Sequence, residues 1–325
     1  MKKNFLFFLV FFPFFLFSQT DFSNRWEDFF SYNNVKDFIV VDDNMYALTD
    51  NAVFVYNTNT KEIQKLSSIN GLSGETTSAI YYNSLHKRLV IGYETGLIEV
   101  LDDDGTITIS KDIVNFNQSG EKRINHISEL NDKLYISTPF AIVVYDINKL
   151  EFGDTYFIGA NSSSVKINQT LIEDNQLYAA TENGIYKASL SNVNLIDFNN
   201  WQQLFSGEYT NIIEFNTFIY ASIGSDLIKI NGANSTVEKT FTNSIKKLKN
   251  NNQNLIVTTQ TEAQILNTNL SEIYKSTPTT NYNFTLNSAS THNGNLLLAT
   301  NEFGVLQIPV SGNQTFTEIH PKGPL

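Results

Sequence analysis

The chain has no cysteine in its 325 residues, only six prolines and two tryptophans, and 17% charged residues. Without cysteine there is no disulfide, no thiolate metal site, no cysteine nucleophile and no lipidated cysteine of the bacterial lipoprotein kind. Stability must then come from the size of the core, and a chain of this length buries roughly three quarters of its extended surface. Helical periodicity sustained over ten or more residues is also missing, which argues against helical and α/β folds. Four histidines, His86, His126, His292 and His320, are scattered without metal-ligand spacing, so no metal and no cofactor is implied. Lys and Arg number 22 against 33 Asp and Glu, a net charge of −11 that argues against nucleic acid as the main partner.

One long apolar run is present, at the N-terminus. Residues 1–18 join Lys2 and Lys3 to an apolar stretch from Phe5 to Phe17 followed by Ser18, the pattern of a secretory signal peptide. The competing reading, an uncleaved anchor, is weakened by Pro13 and by the shortness of the stretch. Removal after Ser18 leaves residues 19–325 with a net charge of −13. No second segment of membrane length follows, so the exported product is expected to be soluble or peripherally held rather than integral.

Residues 19–325 repeat one pattern seven times: an apolar strand, a turn with Gly or acidic residues, and another apolar strand. Copies begin at Met45, Leu89, Leu134, Leu177, Ile219, Leu255 and Leu296. A period near forty residues in an all-strand pattern is the signature of propeller blades. The expected fold is all-β, a seven-bladed β-propeller of four-stranded antiparallel blades near 36–78, 79–123, 124–166, 167–207, 208–244, 245–284 and 285–325. The opening segment RWEDFFSY, Arg25–Tyr32, is expected to supply an outer strand to the last blade and close the ring. TFTEIHP from Thr315 is then surplus, and the ending KGPL suggests a chain cut before a second domain.

No nucleophile with its base, no Gly-rich phosphate loop and no spaced acid and base stand out, so no catalytic residue is assigned. The run Asp102, Asp103, Asp104, Gly105 lacks the ligand alternation of a calcium loop and reads as an acidic hairpin in the second blade. Lys246, Lys247 and Lys249 form the main basic cluster and could meet an anionic ligand; Lys122 and Arg123 form a smaller one. A solvated loop or strand rim is the favoured reading, since the alternation in IKKLK fits a strand with one wet face. Tyr46, Tyr135, Tyr178 and Tyr220 share one register position, which reads as packing between blades.

The stretches RWEDFFSYNNV, LYISTPFAIVVYDINKLEFGDTYFIG (Leu134–Gly159) and LYAATENGIYKASL (Leu177–Leu190) resemble the PorZ-type N-terminal propellers of the Bacteroidota type IX secretion system. LVIGYETGLIEVL and GLSGETTSAIYYN are similar to the related propeller repeats of two-component regulators. The resemblance implies a non-enzymatic platform in the cell-surface attachment machinery, with other secretion proteins and an anionic polysaccharide as partners. Two alternatives stay open: an extracellular sensor propeller that recognises a glycan, and an exported glycan-active enzyme with paired carboxylates lining the channel.

Overall fold

A computed structural model describes residues 30–191, 194–251 and 253–322. The segment read as a signal peptide, residues 1–18, lies outside the described residues. Seven four-stranded antiparallel sheets follow one another, each built from consecutive strands. Blade one comprises Val35–Val41, Asn44–Thr49, Val53–Asn57 and Ile63–Leu66. The first strands of the other blades are Thr77–Asn83, His126–Leu130, Ile167–Glu173, Asn211–Phe215, Lys247–Asn250 and Leu286–His292. Each touches the next around the ring, and the last touches the first. The expected seven-bladed, four-stranded fold is therefore the observed one.

Seven apolar clusters hold the ring, one at each interface between neighbouring blades. The period of two along a strand explains why the middle strands look apolar throughout. In Asn44–Thr49, Met45 and Ala47 pack toward blade seven, while Tyr46 and Leu48 pack toward blade two. In Gln176–Thr181, Leu177 and Ala179 face blade three, and Tyr178 and Ala180 face blade five. Both faces are buried, so neither can be polar.

Turn chemistry reads as expected at the acidic run. Ile98–Leu101 and Ile107–Ser110 are joined by a hairpin in which Gly105 takes φ +89, and the Thr106 N–H donates to Asp104 Oδ1 at 2.8 Å.

Ring closure differs from expectation. The seventh blade takes its outer strand from its own end: Thr317–Ile319 pairs with Val305, Leu306 and Gln307. Val305–Pro309 and Thr317–Ile319 are joined by a short connection, so the last edge is paired within the blade itself. Residues 25–29 of the proposed closing strand lie outside the described residues, and Phe30–Asn34 form no strand. Tyr32 instead packs edge-on against Phe54 with ring centroids 6.1 Å apart, inside the cluster between blades seven and one. The Gly304 N–H donates to the Asn33 carbonyl at 2.8 Å, so the N-terminal segment still ties the ring shut, without being a strand.

Candidate functional site

The seven first strands surround a central channel with a cavity of about 350 Å³, to which every blade contributes. Their side chains alternate between the interfaces and the lumen, as Lys247 and Lys249 do on either side of buried Leu248. From blade one, Asp37 faces them. Its Oδ2 lies 3.0 Å from Lys247 Nζ and its Oδ1 2.5 Å from Lys249 Nζ. Lys249 also donates to the Phe38 carbonyl and stands 4.4 Å from the centre of the Phe38 ring.

Two ammonium groups share one carboxylate. Burial alone would raise the Asp37 pKa, but Lys247 and Lys249 outweigh it and hold the carboxyl far below the usual range. The Lys249 ammonium is pushed below its ordinary value by burial and by Lys247 beside it, against the pull of Asp37. One positive charge is left over in the lumen. His126 lies on the same wall, its pKa lowered to about 3 by burial and then by Lys247, so its imidazole is neutral across the physiological range. Its Nδ1 and the Oγ of Ser78, both facing this cavity's walls, are buried without a partner among the described residues. Excess positive charge, two unsatisfied polar atoms and the amide of Gln169 make a lumen suited to a small anionic or strongly hydrogen-bonding group.

Of the three lysines singled out in the sequence, two are brought together and one is not. Lys246 points away from the lumen and donates to the Leu286 carbonyl of blade seven at 2.7 Å. The smaller basic pair is also engaged elsewhere. Lys122 donates to the carbonyls of Val114 and Phe116, and Arg123 lies 3.5 Å from Glu94. The histidines stay apart, with His86 on Asp132 at 2.8 Å and His320 near Glu318 at 3.4 Å. Asp37 is the residue that sequence reasoning missed, because nothing near it in the chain announces a partner some 200 positions away.

Residues 45–202, from the second strand of blade one into the last strand of blade four, match the family model described as TSS9, PorZ, N-terminal beta-propeller domain. No curated protein matches at the sequence level. Among solved structures, PorZ of Porphyromonas gingivalis superposes with a TM-score of 0.77 at 16% identity, over 92% of this chain and 40% of its own. The extracellular domain of the putative hybrid two component system BT3049 from B. thetaiotaomicron gives 0.65 at 15% identity, over 85% of this chain and 40% of its own. The Cps50 (Swd1) β-propeller domain of Myceliophteria thermophila gives 0.67 at 10% identity, covering 86% and 98%. At these identities the structural likeness is one of fold, and the chain spans about 40% of the length of the PorZ structure. Over residues 45–202, just under half of the chain, the sequence matches the PorZ N-terminal β-propeller family, and the seven-bladed ring as a whole shares that fold.

Proposed function

We propose that this propeller is an exported, non-catalytic binding platform at the periplasmic or outer face of the outer membrane, acting with the type IX secretion and attachment machinery. The observation that carries the proposal is the family match over residues 45–202. In this reading the lumen contributes an anion contact, Lys247 and Lys249 presenting their uncompensated charge to an acidic group of a protein or polysaccharide partner. Lys246 serves the ring rather than the ligand. Co-purification tests the assembly role: a tagged copy expressed from its own locus should retain at least one secretion component, and a copy that never retains any removes the proposal.

A second reading has its own support, because the extracellular domain of a putative hybrid two component system carries a similar propeller. A deletion strain separates the two. Loss of cargo display at the cell surface supports the platform, whereas normal display with a lost transcriptional response to a polysaccharide supports sensing.

A further inference from the structure

A cavity larger than the channel opens between blades one and two, about 540 Å³ in volume. Its floor is apolar, with Leu66, Leu72, Leu89 and Leu101 beneath two stacked tyrosines. The Tyr46 and Tyr82 rings lie 5.6 Å apart with their planes 27° from parallel. Tyr46 occupies the register position shared by Tyr135, Tyr178 and Tyr220, which are 4%, 9% and 3% exposed in closed interfaces. Only Tyr46 of the four is left partly open, so the packing these tyrosines share is broken at this one place.

The mouth of the cleft is acidic. Glu62 and Asp103 line it, and Asp42 is near enough to act on both tyrosines. After burial itself, Asp103 and Asp42 are what push the Tyr82 hydroxyl upward. Against them stands Lys87, while Asp102 is already held by Arg88 at 2.6 Å. Asp103 has no ion-pair partner among the described residues. Two exposed apolar side chains lie beside lining residues in sequence, Ile69 next to Asn70 and Leu85 two positions before Lys87. Leu85 is 72% exposed. Exposed apolar side chains next to an acidic, tyrosine-lined cleft suit a protein segment better than a hydrated small molecule.

We propose that this cleft receives an arginine or lysine side chain from a peptide segment of a partner protein. The cationic head sits among Asp42, Glu62 and Asp103 over a tyrosine face, the aliphatic stem lies on the leucine floor, and apolar neighbours in the peptide cover Ile69 and Leu85. Charge complementarity selects the occupant, because an anionic group would meet three carboxylates against one lysine. The preference is opposite in sign to that of the lumen, so the two sites are separable by ligand charge. This inference rests on the binding-platform part of the proposal above and on nothing specific to secretion; peptide capture can succeed where co-purification fails.

The test titrates the purified chain by calorimetry with a five-residue blocked peptide, acetyl-Gly-Leu-Arg-Leu-Gly-amide, and with its citrulline counterpart, which keeps shape and loses charge. The arginine peptide should bind saturably and about tenfold more tightly than the citrulline one, a difference of about 1.4 kcal/mol. Its affinity should fall at about 0.5 M salt. Tyr46→Ala should abolish binding and Asp103→Asn should weaken it several-fold, while Lys247→Met leaves it unchanged. Asp103 is exposed on a hairpin, so Asp103→Asn alone or with Glu62→Gln carries the test if Tyr46→Ala does not fold. Equal affinity for the two peptides, no effect of the carboxylate variants, or a neutral trisaccharide such as maltotriose displacing the peptide would each overturn the proposal.

Discussion

Asp37 compensates two lysines at once, and that asymmetry decides what each substitution does. Asp37→Ala leaves Lys247 and Lys249 side by side in a lumen where the three side chains are only 17–27% exposed. Removing one partner of a buried pair costs about 3–5 kcal/mol, and the water-accessible lumen places this case near 3. Lys247→Met, by contrast, leaves Asp37 on Lys249 and should cost under about 1 kcal/mol. Urea denaturation of both variants checks the order, and equal losses would refute the shared-carboxylate account. The same lumen sets the response to pH. His126 is neutral in the fold down to about 3, whereas the unfolded chain takes up a proton near 6.5. Its contribution is intact above 6.5 and is lost as pH falls below it, by roughly 1 kcal/mol per pH unit. Asp37, depressed below its ordinary 3.8, adds a second loss that begins near pH 4 and continues downward. His126→Gln should therefore flatten stability between pH 6.5 and 4 and leave the steeper acid limb in place; a profile unchanged over that range would show that His126 titrates normally. The lysine spacing in IKKLK was legible as an alternating strand face. Its meaning was not, since the sequence does not say that the wet face looks onto a carboxylate from another blade.

Within a blade, the end of the second strand carries a repeated device. Thr49, Thr138, Thr181, Thr259 and Thr300 each donate a side-chain hydrogen bond to a carbonyl across the following turn, at 2.8–3.3 Å. In blade four the Thr181 Oγ1 donates to the Gly184 carbonyl and accepts from the N–H groups of Asn183 and Gly184. Gly184 has no room for a side chain, because a Cβ there would lie 2.0 Å from the Phe205 carbonyl oxygen. Thr181→Val keeps the shape and removes the hydroxyl, so about 1–2 kcal/mol should be lost, and Thr181→Ser should recover most of it. A thermal melt distinguishes this from a packing role, in which valine would be neutral and serine harmful. This element was readable in the repeated ALTD, ISTP, AATE and LATN segments, where the threonine recurs beside the turn. The closing strand was misread for the opposite reason. Two segments, Trp26–Tyr32 and Thr315–Pro321, both alternate well enough to pair with the third strand of blade seven. Pattern alone cannot weigh a distant strand against an adjacent one.

Across the whole ring, the first strands are joined by side chains that reach the backbone of the next blade. Lys36 donates to the Thr77 carbonyl at 2.7 Å, Asn125 to Ile167 at 2.8 Å and Asn168 to Tyr209 at 2.8 Å. Asn211 approaches the Lys246 carbonyl at 3.4 Å, Lys246 donates to Leu286 at 2.7 Å, and Asn287 donates to Val35 at 2.9 Å, which carries the series across the closure. This is why Lys246 faces away from the lumen: it occupies a joint in the ring, the place that asparagine fills in other blades. Six of the seven junctions are bridged in this way. At the seventh, between blades two and three, the corresponding residue is Ser78, one atom of reach too short, and its buried Oγ has no partner among the described residues. A buried hydroxyl left unsatisfied costs free energy, and a made bond contributes about 1 kcal/mol. Ser78→Asn should therefore extend the series to the Ile124 carbonyl and stabilise the ring by about 1 kcal/mol, a gain of a few degrees in Tm for a domain of this size. Asn168→Ala at an already bridged junction should lose about 1–2 kcal/mol in the same assay. If Ser78→Asn lowers Tm while Asn168→Ala behaves as stated, the bridges are real but the second junction is shaped to leave Ser78 open to the lumen, and its free hydroxyl then belongs with His126 and Lys247 to the ligand rather than to the ring.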